Sequence, residues 1–291
     1  MTSPSLRGKR IVLTGASRGI GRAAAYALGA LGADLSLVVR DRARGEAVAT
    51  ELRATTGTGA VDLFVADLSL MAEVRRVGGE LAAAHERIDV LVNNAGALFG
   101  ERALTSEGLE RTFATNHMAY FLLTRLLLDR VKAAAPSRIV SVASDAHRGA
   151  SGVTWDDLQH QKGAFNGLGV YSESKLMNIL FSNELARRLA ASNVAVTSNA
   201  LHPGVVATNF ALDEGGPVVK LFYRLMGPLL TNEEKGARTT VFLASAPEVA
   251  GVSGKYFANS REKRPRAPAR DADAARRLWD VSSALCGLPL D

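Results

Sequence analysis

Short, uninterrupted apolar runs alternate along this chain with stretches whose apolar positions recur every three or four residues. Arg10–Thr14, Asp34–Val39, Val61–Val65 and Asp89–Val92 are runs of the first kind. Ala23–Leu31, Glu46–Ala54 and Met71–Ala84 are of the second. Continuous apolar runs suit parallel strands buried on both faces, and the periodic stretches suit the helices that return the chain across a sheet. The alternation continues with a long helical stretch at Leu109–Val131, a strand at Arg138–Ala143 and a helix at Tyr171–Ala190. A strand at Val194–Ala200, a helix at Glu233–Ala244 and a last strand at Gly254–Phe257 complete it. The expected fold class is α/β: one doubly wound domain over residues 1–291, with a parallel sheet of about seven strands and helices on both faces.

Composition narrows the class without changing that architecture. The 291 residues are 47% hydrophobic and 22% charged, an ordinary globular balance. The single cysteine, Cys286, excludes a disulfide scaffold and a multi-cysteine zinc site, and no metal is expected. No stretch approaches the roughly 18 consecutive apolar residues of a membrane span. Met1–Arg10 has no apolar core of the kind a secretory signal needs, so a cytoplasmic setting is expected. The net charge of +6 suits an anionic ligand or a nucleic acid. The densest basic run, Arg261, Lys263, Arg264, Arg266 and Arg270, has few aromatic residues to stack bases, and it reads as a solvated connector inside a C-terminal extension over 259–291. No nucleic-acid partner is expected.

Ligands of open α/β sheets sit at the carboxyl ends of the strands, so the residues following each strand carry the candidate chemistry. After the first strand comes Thr14-Gly15-Ala16-Ser17-Arg18-Gly19-Ile20-Gly21. Three glycines at a strand-to-helix turn permit close backbone approach, and the helix N-terminus offers free N–H groups to a phosphate. Tyr171 and Lys175 are four residues apart, which a helix places on one face. A tyrosine hydroxyl, with an ordinary pKa near ~10, is a poor base at neutral pH. Lowering it by about 3 units requires about 4 kcal/mol, which one cation at about 4 Å supplies at an effective dielectric of about 20.

The spacing T-G-x-x-x-G-x-G resembles the short-chain dehydrogenase/reductase family. Four further landmarks follow in order: Asn93-Asn94-Ala95-Gly96, Ser144, Tyr171-Ser172-Glu173-Ser174-Lys175, and Pro203-Gly204. The resemblance spans roughly residues 8–258 and implies a Rossmann-type dinucleotide-binding fold. It implies a catalytic set of Asn116, Ser144, Tyr171 and Lys175, with Ser144 bonding the substrate oxygen and Asn116 anchoring a water that relays protons to Lys175. The cofactor residues it implies are Gly15, Ser17, Arg18, Gly19, Ile20, Gly21, Asp67, Leu68, Asn94, Ala95, Gly96, Tyr171, Lys175, Pro203, Gly204, Val206 and Thr208. Asp67 also reads as a helix N-cap, and the two roles are compatible. Ser141 reads as a strand residue packed beneath Ser144.

At the end of the second strand the family's acidic position falls on Val39, followed by Arg40; with Arg18, this favours NADP(H) over NAD(H), while Asp41 is the rival NAD-type contact. The long gap from Ser144 to Tyr171, with His147, Trp155, Asp156, Asp157 and Leu158, resembles the retinol dehydrogenase branch, as does the tail from Gly254 to Asp280. His147 reads as surface rather than substrate-facing, and His202 as a residue that structures its turn. That branch often carries an N-terminal membrane helix, which is not seen here. The apolar segment Asn209–Leu230 reads first as a lid over a hydrophobic substrate, with packing on the sheet or peripheral contact with a membrane behind it. The two long helices could form the seam of a homo-oligomer.

The expectation is thus an NADP(H)-dependent oxidoreductase that interconverts a small hydrophobic alcohol and its carbonyl. A non-catalytic dinucleotide-binding regulator on the same fold is the alternative.

Overall fold

A computed structural model describes residues 5–55, 60–204 and 232–290. Among these, eight strands form one sheet in the order β3-β2-β1-β4-β5-β6-β7-β8. The strands are β1 (Arg10–Thr14), β2 (Asp34–Val39), β3 (Val61–Val65), β4 (Val90–Asn93), β5 (Ser137–Val142), β6 (Val196–His202), β7 (Tyr256–Ala258) and β8 (Arg261–Lys263). The first seven are parallel, and β8 returns antiparallel to β7. Strand order reverses between β1 and β4, whose register pairs Leu13 with Val92. The crevice at a doubly wound sheet's switch point therefore opens just beyond Thr14 and Asn93.

Alternation along β1 shows why the apolar runs carry no polar period. Val12 faces one core, with the helices α3 (Met71–Ala84), α5 (Ala119–Ala133), α6 (Gly167–Ala191) and α8 (Ala272–Leu285) over it. Ile11 and Leu13 face the other, covered by α1 (Gly19–Ala30), α2 (Arg42–Thr55) and α7 (Glu233–Ser245). All three side chains are fully buried. A strand enclosed on both sides is apolar at most positions, whichever face they point to.

Three expectations need correction. The stretch Leu109–Val131 is not one regular helix: a short turn α4 (Arg111–Phe113) leads into a π-helical turn, Ala114–Met118, before α5 begins. Glu110 caps its start, accepting from Phe113 N at 2.8 Å. The basic run is not wholly a connector, because Arg261–Lys263 forms the eighth strand. Its three charged, exposed side chains suit an edge, where they discourage pairing with another chain. Finally, Asp67 does not cap α3. It bonds Ser69 N, whereas the free N–H groups of Met71 and Ala72 donate to the Glu107 carboxylate at 2.5 and 2.8 Å.

The C-terminal extension folds back on the sheet's helices. Trp279 of α8 stacks on Phe181 of α6 (6.1 Å, 15°) and meets Phe121 of α5 edge-on (5.1 Å, 77°). Part of the surface considered for an oligomer seam is thereby covered by the chain itself.

Candidate active site

The crevice floor is backbone. Gly15 (φ +72°) and Gly19 (φ +60°) adopt conformations that side chains disfavour, which turns the chain sharply from β1 into α1. A Cβ on Gly15 would meet Ala95 Cα at 2.9 Å, and one on Gly21 would meet Gly15 O at 2.2 Å. Glycine is thus required for close packing of α1 on this turn. Arg18, the residue before α1, gives the helix no side-chain cap, and the first turn holds no acid. The N–H groups there remain suited to an anionic group. Ser17 and Ile20 are half-buried on the same turn.

Thr14 and Asn94 brace the switch point. Thr14 Oγ1 accepts from Asn94 N (2.9 Å) and Ala95 N (3.0 Å), while Asn94 Nδ2 donates to Thr14 O (2.8 Å). Asn94 therefore holds two strand ends together from within the crevice wall. Leu68 is buried, and Asp67 sits at the end of β3 beside it. Val39 is buried at the end of β2 and Arg40 is exposed just past it. Asp41, the rival NAD-type residue, caps α2 by accepting from Arg44 N at 3.0 Å. An open depression of about 400 Å³ beside the turn has Ser17, Arg18, Gly19, Arg22 and Arg44 on its wall, together with Glu51, which pairs with Arg22, and Glu233. A cradle of glycines, a helix N-terminus and flanking arginines together fit a dinucleotide bearing phosphates.

The opposite wall is made of buried side chains. Lys175 is 3% exposed, with Nζ 3.2 Å from Val142 O and 5.4 Å from the centre of the Tyr171 ring. Gly96 leaves room for it, since a Cβ there would stand 3.2 Å from Nζ and 3.1 Å from Asn116 Oδ1. Burial pushes the Lys175 pKa down to about 7. The ammonium is therefore not a fixed charge. Burial alone causes the shift, and a negative charge brought near would favour the ammonium.

Asn116 lies in the π-helical turn with no exposed surface. Its Oδ1 accepts from Ala97 N (2.6 Å), and its Nδ2 donates to Ala97 O (2.8 Å) and Ser174 Oγ (2.9 Å). Ser174 Oγ in turn donates to Tyr171 O. One buried amide thus links the loop after β4, the π turn and the helix that carries Tyr171. Ser144, at the end of β5, keeps a half-buried hydroxyl that accepts from Ala146 N at 3.1 Å. Ser141 is fully buried beneath it, as a strand interior residue.

His147 overturns its expected surface position: it is fully buried. Its Nδ1 bonds Ser144 O (2.7 Å), and its ring meets Tyr256 edge-on at 5.1 Å. Burial lowers its pKa, so the neutral ring donates from Nδ1. Tyr256 donates to Asp145 at 3.0 Å, and Asp145 N donates to His202 Nδ1 at 3.2 Å. Burial alone would raise the Asp145 carboxyl, but His202, Tyr256 and Arg148 hold it below its ordinary value. His202, whose pKa burial lowers, ties the end of β6 to the turn after β5 through that bond. Pro203 and Gly204 (φ +94°) follow at the edge of the described residues. Val206, Thr208 and the segment Asn209–Leu230 lie outside them.

The gap segment is clamped to the same helix. Glu173, 6% exposed on α6, accepts from Thr154 N (2.7 Å) and Thr154 Oγ1 (2.9 Å), with His160 Nε2 at 3.7 Å. Arg102 Nε donates to Gln159 O, and Gln159 Oε1 accepts from Glu110 N. Sequence reasoning singled out neither Glu173, Tyr256 nor Glu110. An acid inside the motif, two residues past its tyrosine, was the available signal for the first, and nothing local marked the others.

A dinucleotide crevice at the switch point with a Tyr–Lys pair, a serine and an asparagine opposite is the arrangement of a dehydrogenase. The family model for short chain dehydrogenases matches residues 9–155. Human retinol dehydrogenase 14 is 40% identical over 97% of this chain and 88% of its own length. Human retinol dehydrogenase 13 is 39% identical over 98% and 86%. The crystal structure of an uncharacterized protein from Mycobacterium paratuberculosis superposes with a TM-score of 0.79 at 32% identity, covering 99% of this chain and 97% of that one. A short chain dehydrogenase from Burkholderia cenocepacia in complex with NADP superposes at 0.67 with 27% identity, over 87% and 96%. This chain belongs to the short-chain dehydrogenase/reductase family. It is an oxidoreductase with retinol dehydrogenases among its relatives, of a family that uses a nicotinamide dinucleotide. Among the described residues no helix is long and apolar enough to cross a membrane, and no cluster could hold a metal.

Proposed function

We propose that the protein is an NADP(H)-dependent oxidoreductase that interconverts a hydrophobic alcohol and its aldehyde or ketone, with Tyr171 as general acid/base. The observation that carries the reading is the burial of Lys175 against the Tyr171 ring, beside a glycine that leaves it room. An ammonium there favours ionisation of the phenol, and a phenolate favours the ammonium, so the pair exchanges one proton with the substrate oxygen at modest cost. Ser144 steadies that oxygen, and Asn116 braces the helix that presents both groups. The bound nicotinamide supplies or accepts the hydride.

Preference for the 2′-phosphate rests on Arg40 and Arg18 at the cofactor end and on Asp41 being engaged as a helix cap. The NADP complex of the Burkholderia relative agrees with it. The names of the human relatives put retinoids first among hydrophobic substrates. We place the protein in the cytoplasm.

The test is a panel of hydrophobic aldehydes and ketones, all-trans-retinal included, assayed with NADPH and NADH. Turnover is expected with NADPH, and Tyr171→Phe should lower it by about 10²- to 10⁴-fold while NADPH still binds. A Tyr171→Phe enzyme as active as the parent, or a parent that binds NADPH and reduces nothing, defeats the reading.

A further inference from the structure

Ser144 is extended (φ −164°, ψ 153°) and heads a short turn, Asp145–Gly149. Its Oγ accepts from Ala146 N at 3.1 Å, which leaves the hydroxyl proton to donate elsewhere. Its carbonyl accepts twice from one residue, from His147 N at 3.1 Å and from His147 Nδ1 at 2.7 Å. The ring that makes the shorter bond is fully buried and lies edge-on to Tyr256, with 5.1 Å between ring centres. A carbonyl can only accept, so the ring proton sits on Nδ1 and Nε2 is the acceptor. Arg266 N approaches that Nε2 at 3.5 Å.

The rest of the turn is pinned as well, but away from the serine. Asp145 accepts the Tyr256 hydroxyl at 3.0 Å and gives its N–H to His202 Nδ1 at 3.2 Å. Arg266 Nη1 donates to Arg148 O. Gly149 puts no side chain between the turn and α6, where a Cβ would stand 3.3 Å from Ser172 Oγ, one residue past Tyr171. On the strand side of Ser144, Ala143 N donates to Leu201 O at 2.8 Å. Ser144 therefore lies between a strand end held by β6 and a peptide plane held by His147. With both sides fixed, its Cα–Cβ bond has one direction.

We propose that His147 is a positioning residue for the reaction: through Nδ1 it fixes the Ser144 carbonyl, and thereby the direction in which the Ser144 hydroxyl meets the substrate oxygen. The proposal rests on the assignment of Ser144 to that oxygen. Loss of the Nδ1 donor leaves the carbonyl only the bond from the backbone N–H, and the peptide plane after Ser144 gains freedom to rock. The hydroxyl then spends less time on the line to the substrate oxygen, while the cofactor cradle, which shares none of these bonds, is untouched.

The experiment uses the full chain, NADPH and whichever carbonyl of the panel the parent reduces fastest, with kcat expressed per folded molecule. His147→Phe keeps a ring against Tyr256 but has no Nδ1 donor. It is expected to lower kcat about tenfold with NADPH Kd unchanged. His147→Asn carries an amide nitrogen at the Nδ1 position and should stay within about threefold of the parent. His147→Gln carries its amide near the Nε2 position instead and should match His147→Phe. Ser144→Ala should lower kcat by about 10²- to 10³-fold, and on top of it His147→Phe should have no further effect, because no hydroxyl is left to aim. A general role in stability would act equally with or without that hydroxyl. Full activity in His147→Phe, or a tenfold loss that persists beside Ser144→Ala, overturns the proposal. Should His147→Phe not fold, equal kcat in His147→Asn and His147→Gln overturns it. If Ser144→Ala is slow and His147→Phe is not, only this proposal falls. If Ser144→Ala is as active as the parent, the assignment of Ser144 falls with it.

Discussion

At the β1–α1 turn the crevice is walled by main chain, while on the α6 side it is walled by buried polar side chains, Lys175 and Asn116 among them, held by specific hydrogen bonds. The first wall works by omission: Gly15 and Gly21 have no Cβ because Ala95 and the Gly15 carbonyl occupy that space. The second works by addition, with Lys175, Asn116, Glu173 and His147 each enclosed and each given a specific partner. A wall of omissions tolerates no substitution but needs no partner. A wall of buried polar groups tolerates conservative changes and fails when a partner is removed.

The largest effect should come from the buried cation. Lys175→Met is expected to lower kcat by about 10²- to 10⁴-fold. It should also change the pH dependence of stability in the cofactor-free protein. Burial holds the Lys175 pKa at about 7, well below the ordinary lysine value. Between those values the unfolded chain binds a proton that the folded one does not, so stability rises with pH across that window and is depressed below it. Melting curves from pH 6.5 to 10 should show this rise in the parent and its loss in Lys175→Met. Parallel curves would mean that the lysine is charged at no cost, and the contrast between the walls would weaken.

Next comes the wall of omissions. Gly21→Ala places a methyl group 2.2 Å from the Gly15 carbonyl. It should weaken NADPH by at least about 100-fold and cost about 1–3 kcal/mol of stability. Gly79, exposed within α3 with nothing near its missing Cβ, is the control. Gly79→Ala should gain about 0.5–1 kcal/mol. Calorimetric titration and urea denaturation check both.

What could be read from the chain divides along the same line. Parallel strands buried on both faces leave continuous apolar runs, so β1 to β3 fall where expected. The glycine turn and the Tyr–Lys spacing are local, and a local pattern is visible in one dimension. The exposed edge strand Arg261–Lys263 has no apolar residue to betray it, and the π turn has the composition of an ordinary helix. The partners of the buried polar groups come from far along the chain: Glu107 for α3, Tyr256 for Asp145, Ser282 for His117. No spacing encodes such pairs, because they exist only once the sheet has brought the elements together. Val206 and Thr208 fall outside the described residues and add nothing to either side.

A smaller effect is expected where cofactor charge is read. Arg40→Ala should weaken NADPH by about 10- to 150-fold and leave NADH nearly unchanged, since a charge-assisted bond is worth about 1.5–3 kcal/mol. Dissociation constants for both cofactors decide it. An equal loss for the two would move Arg40 from phosphate recognition to general support of the turn.

The smallest effect should fall on the clamp between α6 and the segment before it. Glu173 gives one carboxylate oxygen to Thr154 N and the other to Thr154 Oγ1. Glu173→Ala removes both acceptors and leaves a partly buried N–H without a partner, a cost of about 1–3 kcal/mol. That cost falls on the docking of residues 145–166, because the cradle at β1–α1 shares none of these bonds. Amide exchange should speed up across that segment and KM for the carbonyl should rise a fewfold, while NADPH Kd stays put. Glu173→Gln, which keeps one acceptor and the shape, should lie between. A parallel loss of NADPH affinity would show that the two walls are one mechanical unit, and the distinction between omission and addition would then describe their chemistry but not their response to damage.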